Sequence, residues 1–205
     1  MTNNLTVKAS VVDIRHDNPL SSDIFLVDTN AWYWMTYPNA SSGNRPPYPY
    51  QINDYPFYIS QALSAKSSLA YSGLSFAELA HLIENTQKEI FRPSPLSRKD
   101  FRHNYPIQRA DVVAQVQVVW SQIKEIAVSA DLMINEATTD DVLVRFETEP
   151  LDGYDLFILE TMKKENINNI ITDDGDYCTV PGITVFTANR NMINAARAQG
   201  NLLTR

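Results

Sequence analysis

The sequence is poor in the residue types on which much enzyme chemistry depends. Cys178 is the only cysteine among 205 residues, so neither an intrachain disulfide nor a cysteine-based zinc site can form. There are only six glycines, and no GxGxxG, P-loop or GxSxG pattern is present. The three histidines (His16, His81 and His103) are scattered, without HExxH spacing or an obvious triad. Chemistry based on serine, cysteine or histidine therefore has little support.

Long apolar segments and an excess of basic charge are also missing. No run of about 18 apolar residues exists, which excludes a membrane-spanning helix, and the N-terminal segment MTNNLTVKAS lacks the apolar core of a signal peptide. We therefore expect a cytoplasmic protein with no membrane among its partners. The 17 Lys and Arg against 24 Asp and Glu give a net charge of −7, which argues against a large basic nucleic-acid-binding face. An enzyme that collects carboxylates around a metal ion remains compatible with this charge.

Composition and periodicity predict a single α/β domain over 1–205. The chain is 44% hydrophobic and 20% charged, as expected for a globular protein with a core. Segments with the patterns of strands and helices alternate for most of the length, which is typical of a three-layer α/β/α sandwich with a mainly parallel central sheet. The predicted strands are 23–28, 69–75, 131–134, 168–173 and 182–188. The predicted helices start at residue 29 and cover 57–66, 76–90, 110–130, 140–148, 153–166 and 191–200.

Two segments interrupt this alternation. Residues 37–57 hold five of the eleven prolines, interleaved with tyrosines, and are predicted to form a long loop. Such a loop could be a lid or a stacking platform for a ligand, or it could simply cover the core. Residues 92–109 form a basic connector, which together with the following long helix makes an insertion over 92–130.

Carboxylates are the functional groups that remain, and each has a structural explanation of its own. Asp28 follows the first predicted strand, where Asp is a preferred N-cap. Glu78 lies three residues after Ser75, as in a capping box. Asp155 falls in the first turn of a helix that Asp152 could cap.

The segment TDDGDY adds Asp173, Asp174 and Asp176 within four positions. An Asp-Gly turn after a strand needs no function, but three aspartates are more than a turn requires. A calcium loop starting at Asp174 would need glycine and glutamate where the chain has Thr179 and Val185, so that interpretation fails. Asp173 is the aspartate that we expect to face solvent.

The order of the four acidic positions carries more information than any one of them. Asp28, Glu78, Asp155 and Asp174 each fall at a strand-to-helix junction or near the start of a helix. In a parallel sheet these junctions lie at one edge, so the four side chains should converge. Such a cluster is repulsive, and hard divalent cations with oxygen ligands, Mg²⁺ or Mn²⁺, are its natural compensation.

These segments resemble the PIN-domain nucleases. LVDTNAWYW (26–34) is similar to the opening strand of that family, SFAELAHLIE (75–84) to its second acidic segment, and GYDLFILETMKKENINNIITDDGDY (153–177) to its third and fourth. The resemblance implies that Asp28, Glu78, Asp155 and Asp174 are catalytic and bind metal, with Asp176 as a further acidic ligand. It also implies Asn30 and Thr172 as supporting polar residues. In the family these acids hold one or two Mg²⁺ or Mn²⁺ ions that activate water to hydrolyse phosphodiester bonds, usually in RNA.

The resemblance leaves several functions and partners open. Its leading implication is an endoribonuclease, either the toxin of a toxin–antitoxin pair, with a cognate antitoxin protein as partner, or a stand-alone RNA-processing enzyme. Family members often dimerise, which makes a homodimer a further expectation. A catalytically silent module that binds RNA or protein is the alternative. A metal-dependent phosphatase of the haloacid-dehalogenase type is disfavoured, because that class needs an aspartate where this chain has Asn30.

The basic connector is the predicted site of RNA backbone contact, with base stacking from interleaved aromatic residues. A solvated surface linker explains the same residues. The candidates for RNA binding are Arg92, Arg98, Lys99, Arg102 and Arg109.

Overall fold

The computed structural model describes residues 5–92 and 96–205, and within them seven parallel strands form one sheet. In chain order the strands are β1 (Ser10–Asp13), β2 (Ile24–Val27), β3 (Ser68–Ser72), β4 (Val128–Ala130), β5 (Asn169–Ile171), β6 (Thr184–Thr187) and β7 (Leu202–Leu203). Their order across the sheet is β4-β3-β2-β5-β6-β1-β7. Two expectations fall partly outside the described residues: the lack of a signal peptide involves residues 1–4, and the basic connector includes 93–95.

Eight α-helices occur in the described ranges. They are α1 (Thr29–Thr36), α2 (Pro49–Ser64), α3 (Gly73–Phe91), α4 (Arg98–Asn104), α5 (Pro106–Ile126), α6 (Glu136–Thr148), α7 (Gly153–Lys164) and α8 (Arg190–Gln199). A single 3₁₀ turn covers Gly175–Thr179. No helix in these parts of the chain combines the length and apolarity needed to cross a membrane.

The helices form two layers because successive strand residues point to opposite faces of the sheet. In β2, Phe25 and Val27 join a core cluster with buried residues of α1 to α5. Leu26, between them, joins a second cluster with residues of α6, α7 and α8. The predicted three-layer α/β/α sandwich is confirmed, and its sheet is entirely parallel.

Several predicted element boundaries were wrong. The expected strand at 131–134 lies instead at Val128–Ala130, where it pairs with β3. β1 and β7 were not predicted at all. Both are short, and they exist because β1 pairs with β6 on one side and with β7 on the other.

The predicted loop over 37–57 is irregular only up to residue 48. Helix α2 begins at Pro49, where proline is favoured because the first helical position needs no amide donor. The buried side chains of Tyr55, Tyr58 and Ile59 explain why a segment rich in proline and tyrosine is helical, since one of its faces packs into the core.

The capping box predicted from Ser75 and Glu78 was also wrong. Helix α3 begins at Gly73, and its N-cap is Ser72, whose hydroxyl accepts a hydrogen bond from the Leu74 amide. Glu78 therefore lies in the second turn of the helix, and its carboxylate is not needed at the helix terminus.

The order of the strands places a topological switch between β2 and β5. β3, which follows β2 in the chain, pairs with β2 on the side away from β5. β6, which follows β5, pairs with β5 on the side away from β2. In open α/β sheets ligands bind outside the carboxyl ends of strands at such a point. Asp28 comes directly after β2, and Thr172 directly after β5.

Candidate functional site

A pocket of about 430 Å³ opens at this switch point. Four of the five predicted metal ligands border it: Asp28, Glu78, Asp155 and Asp174. They come from the end of β2, the second turn of α3, the first turn of α7 and the turn after β5. α7 leads into β5 and runs antiparallel to the strands, so its first turn lies at the carboxyl edge of the sheet.

Asp28 is the most deeply buried acid of the pocket, with 5% of its surface exposed. Its Oδ1 accepts a hydrogen bond from the Thr29 amide at 2.7 Å, which makes it the N-cap of α1. Its Oδ2 accepts a hydrogen bond from the Thr172 hydroxyl at 2.9 Å. Asp28 is thus a helix cap that also borders the pocket.

Thr172 connects two of the acidic segments. Its fully buried hydroxyl donates to Asp28 and accepts the Asp174 amide at 2.9 Å. One hydroxyl thus contacts both the first and the last acidic segment.

Glu78 reaches the pocket from α3 and contacts α1. The hydroxyl of Thr29 donates to its Oε2 at 2.5 Å. Asn30, the next residue of α1, lies at the pocket wall with its side chain exposed. Thr29 therefore holds Glu78 beside Asp28, since its own amide is bonded to Asp28.

Asp155 is held by a residue from the 3₁₀ turn. The hydroxyl of Tyr177 donates to its Oδ1 at 2.9 Å. The amide of Asp155 donates to Oδ1 of Asp152, the N-cap of α7, as predicted. Asp152 also lines the pocket, so its carboxylate both caps a helix and adds a fifth acidic group to the site.

The two remaining aspartates of the TDDGDY segment differ from the predictions. Asp176 is exposed and does not line the pocket, although its amide donates to Oδ1 of Asp174 at 2.8 Å. Asp173 was expected to face solvent, and this was wrong. It accepts hydrogen bonds from the Tyr50 hydroxyl, the Gln51 side-chain amide and the Tyr55 hydroxyl at 3.1, 2.6 and 2.7 Å.

The environment of the pocket disfavours the charged forms of its carboxyl groups. Burial raises the pKa of Asp28 to about 7, against the lowering effect of the Thr172 hydrogen bond and with a contribution from the charges of Glu78 and Asp174. Burial likewise raises the pKa of Glu78, again with a contribution from Asp174.

The same causes act on Asp155. Burial raises its pKa to about 8, the Tyr177 hydrogen bond opposes the rise, and the charges of Asp28, Asp152 and Asp174 increase it. Like charges thus face one another across the pocket without a neutralising side chain among its lining residues.

The donor set fits a hard divalent cation in its chemistry, but the side chains are not arranged as a ligand cage. Every acidic group of the pocket offers oxygen, the donor that Mg²⁺ and Mn²⁺ prefer. Within residues 5–92 and 96–205, however, no three His, Cys, Asp or Glu side chains stand together so that they could hold a metal ion. Both oxygens of Asp28 and Oε2 of Glu78 already accept hydrogen bonds. These hydrogen bonds orient the oxygens that a cation would share.

The basic residues of the connector fall into two groups, those that form ion pairs within the protein and those that are exposed. Arg102 and Arg109 donate to the buried carboxylate of Glu84, which is 1% exposed, at 2.5 and 3.0 Å. These two arginines hold α4 and α5 against α3, so their first role is structural. Arg92 donates to the Tyr105 hydroxyl at 3.2 Å.

Positive charge nevertheless lies next to the acidic pocket. Partial burial lowers the pKa of His81, a residue of the pocket wall, and the charges of Arg98 and Arg102 lower it further. Arg98 and Lys99 are exposed in the first turn of α4. Arg98 therefore places positive charge near this wall of the pocket.

Five polar residues of the pocket wall were not predicted as site residues; besides Thr29 and Asp152, described above, they are His81, Asn85 and Tyr154. The signal for two of them was present, since Glu78, His81, Leu82 and Asn85 follow the helical spacing of one face of α3. Tyr154 has no comparable signal, because its place depends on how α7 packs.

No model of a known protein family matches the chain, and no curated protein matches it in a sequence comparison.

Proposed function

We propose that the acidic pocket is the active site of a Mg²⁺- or Mn²⁺-dependent endoribonuclease of the PIN type. One observation carries the proposal: four carboxylates from four distant segments border a single pocket at the switch point of a parallel sheet. Burial and mutual repulsion raise the pKa values of Asp28 and Asp155 to about 7 and 8. A cluster with this energetic cost suggests a site that a cation completes.

Asp28, Glu78, Asp155 and Asp174 would hold the cation, and Asp152 is close enough to add a fifth carboxylate. When bound, the cation supplies Lewis acidity toward water and toward phosphate oxygens. The chain itself fixes the acids: Thr172 and the Thr29 amide orient Asp28, and Tyr177 orients Asp155.

The surroundings of the pocket favour a polyanionic substrate. The side chain of Asn30 is exposed at the pocket wall and can donate to a phosphate oxygen. Arg98 and Lys99 add positive charge on the α4 side, which favours binding of a nucleic acid backbone. The acidic pocket without a cation would repel the same backbone, so substrate binding there should depend on the metal ion.

The direct test is cleavage of a panel of single-stranded RNAs with and without Mn²⁺. Wild type should cleave only with the ion, and Asp28→Asn should lose nearly all activity. Asp140→Asn is the matched control, because Asp140 is exposed on α6, outside the pocket lining. Undiminished cleavage by Asp28→Asn would overturn the catalytic assignment.

A second measurement is independent of catalysis. Ligand binding to the folded state raises the free energy of unfolding, so Mn²⁺ should raise the melting temperature of wild type and of Asp140→Asn. The rise should be much smaller for Asp28→Asn and Asp155→Asn. An equal rise in melting temperature in all four proteins would show that Mn²⁺ binds outside the acidic pocket.

A binding module without catalysis is the second candidate. It is favoured by the finding that, among the described residues, the acidic side chains do not stand in a metal-holding arrangement. This candidate predicts RNA or protein binding that is indifferent to Mn²⁺, with no cleavage. The antitoxin partner and the homodimer remain predictions of the sequence resemblance alone.

A further inference from the structure

A second groove, of about 340 Å³, adjoins the acidic pocket. The groove and the acidic pocket share Asn30, Leu82 and Asn85 in their walls, so one extended ligand can occupy both. The far wall of the groove is formed by residues 40–51, the part of the chain between α1 and the first turn of α2.

This wall is attached to α3 at one end. The Asn44 amide donates to Oε2 of Glu89 at 2.7 Å. Just before the wall, the Gln87 side-chain amide donates to the Tyr37 hydroxyl at 2.8 Å. Gly43 permits the approach, because a Cβ at this position would lie 2.8 Å from Oε2 of Glu89. The segment is thus held against α3 by a hydrogen bond and close packing.

The other end is attached to Asp173. Tyr50, Gln51 and Tyr55, all of α2, donate to the Asp173 carboxylate. Asp173 directly precedes Asp174, which lines the acidic pocket. The wall of the groove and the acidic pocket are therefore connected through adjacent residues, which fixes the distance between them.

The groove presents the groups that bind a nucleobase. Tyr48 is 69% exposed, and its ring lies parallel to that of the anchored Tyr50, with 9° between the planes and 6.0 Å between the centroids. Trp34 adds a second aromatic surface and Arg45 an exposed guanidinium. Bases stack on aromatic rings and on guanidinium planes.

The shared wall adds the polar groups that read base edges. Asn30 and Asn85 each carry an amide with two donors and one acceptor oxygen. Across the described ranges, neither side chain is hydrogen-bonded to another residue, whereas the Gln51 amide is bonded to Asp173. The combination of exposed rings, a cation and available amides suits a flat polar heterocycle better than an aliphatic side chain.

We propose that this groove is a nucleobase-binding subsite, in which Tyr48 stacks on a base of a single-stranded RNA whose neighbouring phosphodiester enters the acidic pocket. The location of that phosphodiester rests on the function proposed above, whereas base binding in the groove does not. The substrate class that follows is unpaired RNA, because a base inside a duplex cannot reach Tyr48.

The test is binding of a short fluorescein-labelled single-stranded RNA in EDTA, followed by fluorescence anisotropy. Tyr48→Ala should weaken binding by about 5- to 150-fold, the range that corresponds to loss of one stacked base. Tyr48→Phe should bind as wild type does, because it keeps the ring. Phe57→Ala is the matched control, since Phe57 is an equally exposed aromatic residue of α2 outside the groove lining.

Probes with abasic sites separate stacking from a structural effect of the substitution. Wild type should bind an RNA with abasic sites at least as weakly as Tyr48→Ala binds the intact RNA, and the abasic sites should weaken binding less in Tyr48→Ala than in wild type. A double-stranded RNA should bind wild type and Tyr48→Ala alike, and single-stranded DNA of the same sequence should bind wild type more weakly than RNA does. Equal binding of the intact single strand by wild type and Tyr48→Ala would overturn the subsite, and DNA binding as tight as RNA binding would overturn RNA as the source of the base.

The subsite and the catalytic proposal can fail separately. If Tyr48→Ala loses affinity in EDTA but wild type never cleaves with Mn²⁺, the subsite stands and the nuclease assignment falls. If wild type cleaves with Mn²⁺ and Tyr48→Ala binds and cleaves as well as wild type, the nuclease assignment stands and the subsite falls.

Discussion

The hydroxyl of Thr172 donates a hydrogen bond to Oδ2 of Asp28 at 2.9 Å and so joins the carboxyl ends of the adjacent strands β5 and β2. This bond lowers the pKa of Asp28 against the rise that burial causes. Thr172→Val should therefore raise that pKa above about 7 and reduce the free energy of unfolding by about 1–3 kcal/mol, because the Asp174 amide loses its acceptor as well.

The pKa of Asp28 can be followed by NMR titration of the carboxyl carbon in metal-free protein. Thr172→Ser keeps the hydroxyl and should behave as wild type. An unchanged pKa in Thr172→Val would show that this hydrogen bond does not govern the ionisation of Asp28.

Asp173 should be important for folding rather than neutral. It accepts three hydrogen bonds from α2, and asparagine offers only one acceptor oxygen in its place. Asp173→Asn should lower the free energy of unfolding by about 1–3 kcal/mol, measured by urea denaturation. Asp176→Asn, a similar change at the exposed neighbouring position, should alter it by less than about 0.5 kcal/mol. Equal free energies of unfolding for Asp173→Asn and Asp176→Asn would show that Asp173 does not hold the groove wall in place.

Asp17 should contribute to stability except at low pH. Its buried carboxylate accepts hydrogen bonds from the Arg205 guanidinium at 2.9 and 2.7 Å and from the Tyr58 hydroxyl at 2.5 Å. Burial raises the pKa of Asp17, but these partners outweigh it and hold the pKa below the ordinary value of 3.8.

The direction of the pH effect follows from that depressed pKa. The unfolded chain takes up the proton first as the pH falls, so the stabilisation is complete above about pH 4 and is lost below it. Asp17→Asn should cost about 3 kcal/mol at pH 6, because it leaves Arg205 without one of its carboxylates, and less at pH 3. Urea denaturation at both pH values checks this, and a cost that is the same at both would contradict it.

The basic connector should separate into stabilising and exposed residues. Arg102→Ala removes a partner of the buried Glu84 and should lower the free energy of unfolding by about 2 kcal/mol. Arg98→Ala should leave stability unchanged and, if the connector contacts RNA, reduce RNA affinity and the dependence of that affinity on salt. Denaturation and a salt series of RNA binding measure the two effects. Loss of stability in Arg98→Ala would contradict this division.

The alternation of strands and helices could be predicted from the sequence because it depends on local composition. β2 is a short apolar run, and α7 begins after the N-cap Asp152 and contains a run of buried residues. The C-terminal helix was placed correctly, ending at Gly200, whose positive φ of 77° suits glycine. Signals of this kind lie within a few residues of the element that they define.

Features that depend on distant partners were misread. Asp173 belongs to a turn, and no local pattern reveals that three residues of α2 lie against it. Arg102 and Arg109 have the appearance of a free basic patch, but Glu84, on another helix, binds both. β1 became a strand only through pairing with β6 and β7.

The sequence by itself determined the fold class, because hydrophobic periodicity and helix caps are set by neighbouring residues. It also indicated that Asp28, Glu78, Asp155 and Asp174 would lie at the same edge of the sheet, where all four border one pocket, because parallel connectivity brings the carboxyl ends of strands to one edge. Tertiary structure alone decided which polar groups those acids contact, and that the Pro/Tyr segment stands beside them as a wall anchored at Asp173. Those contacts join residues that are far apart in the chain, and only packing of the helices on the sheet selects them.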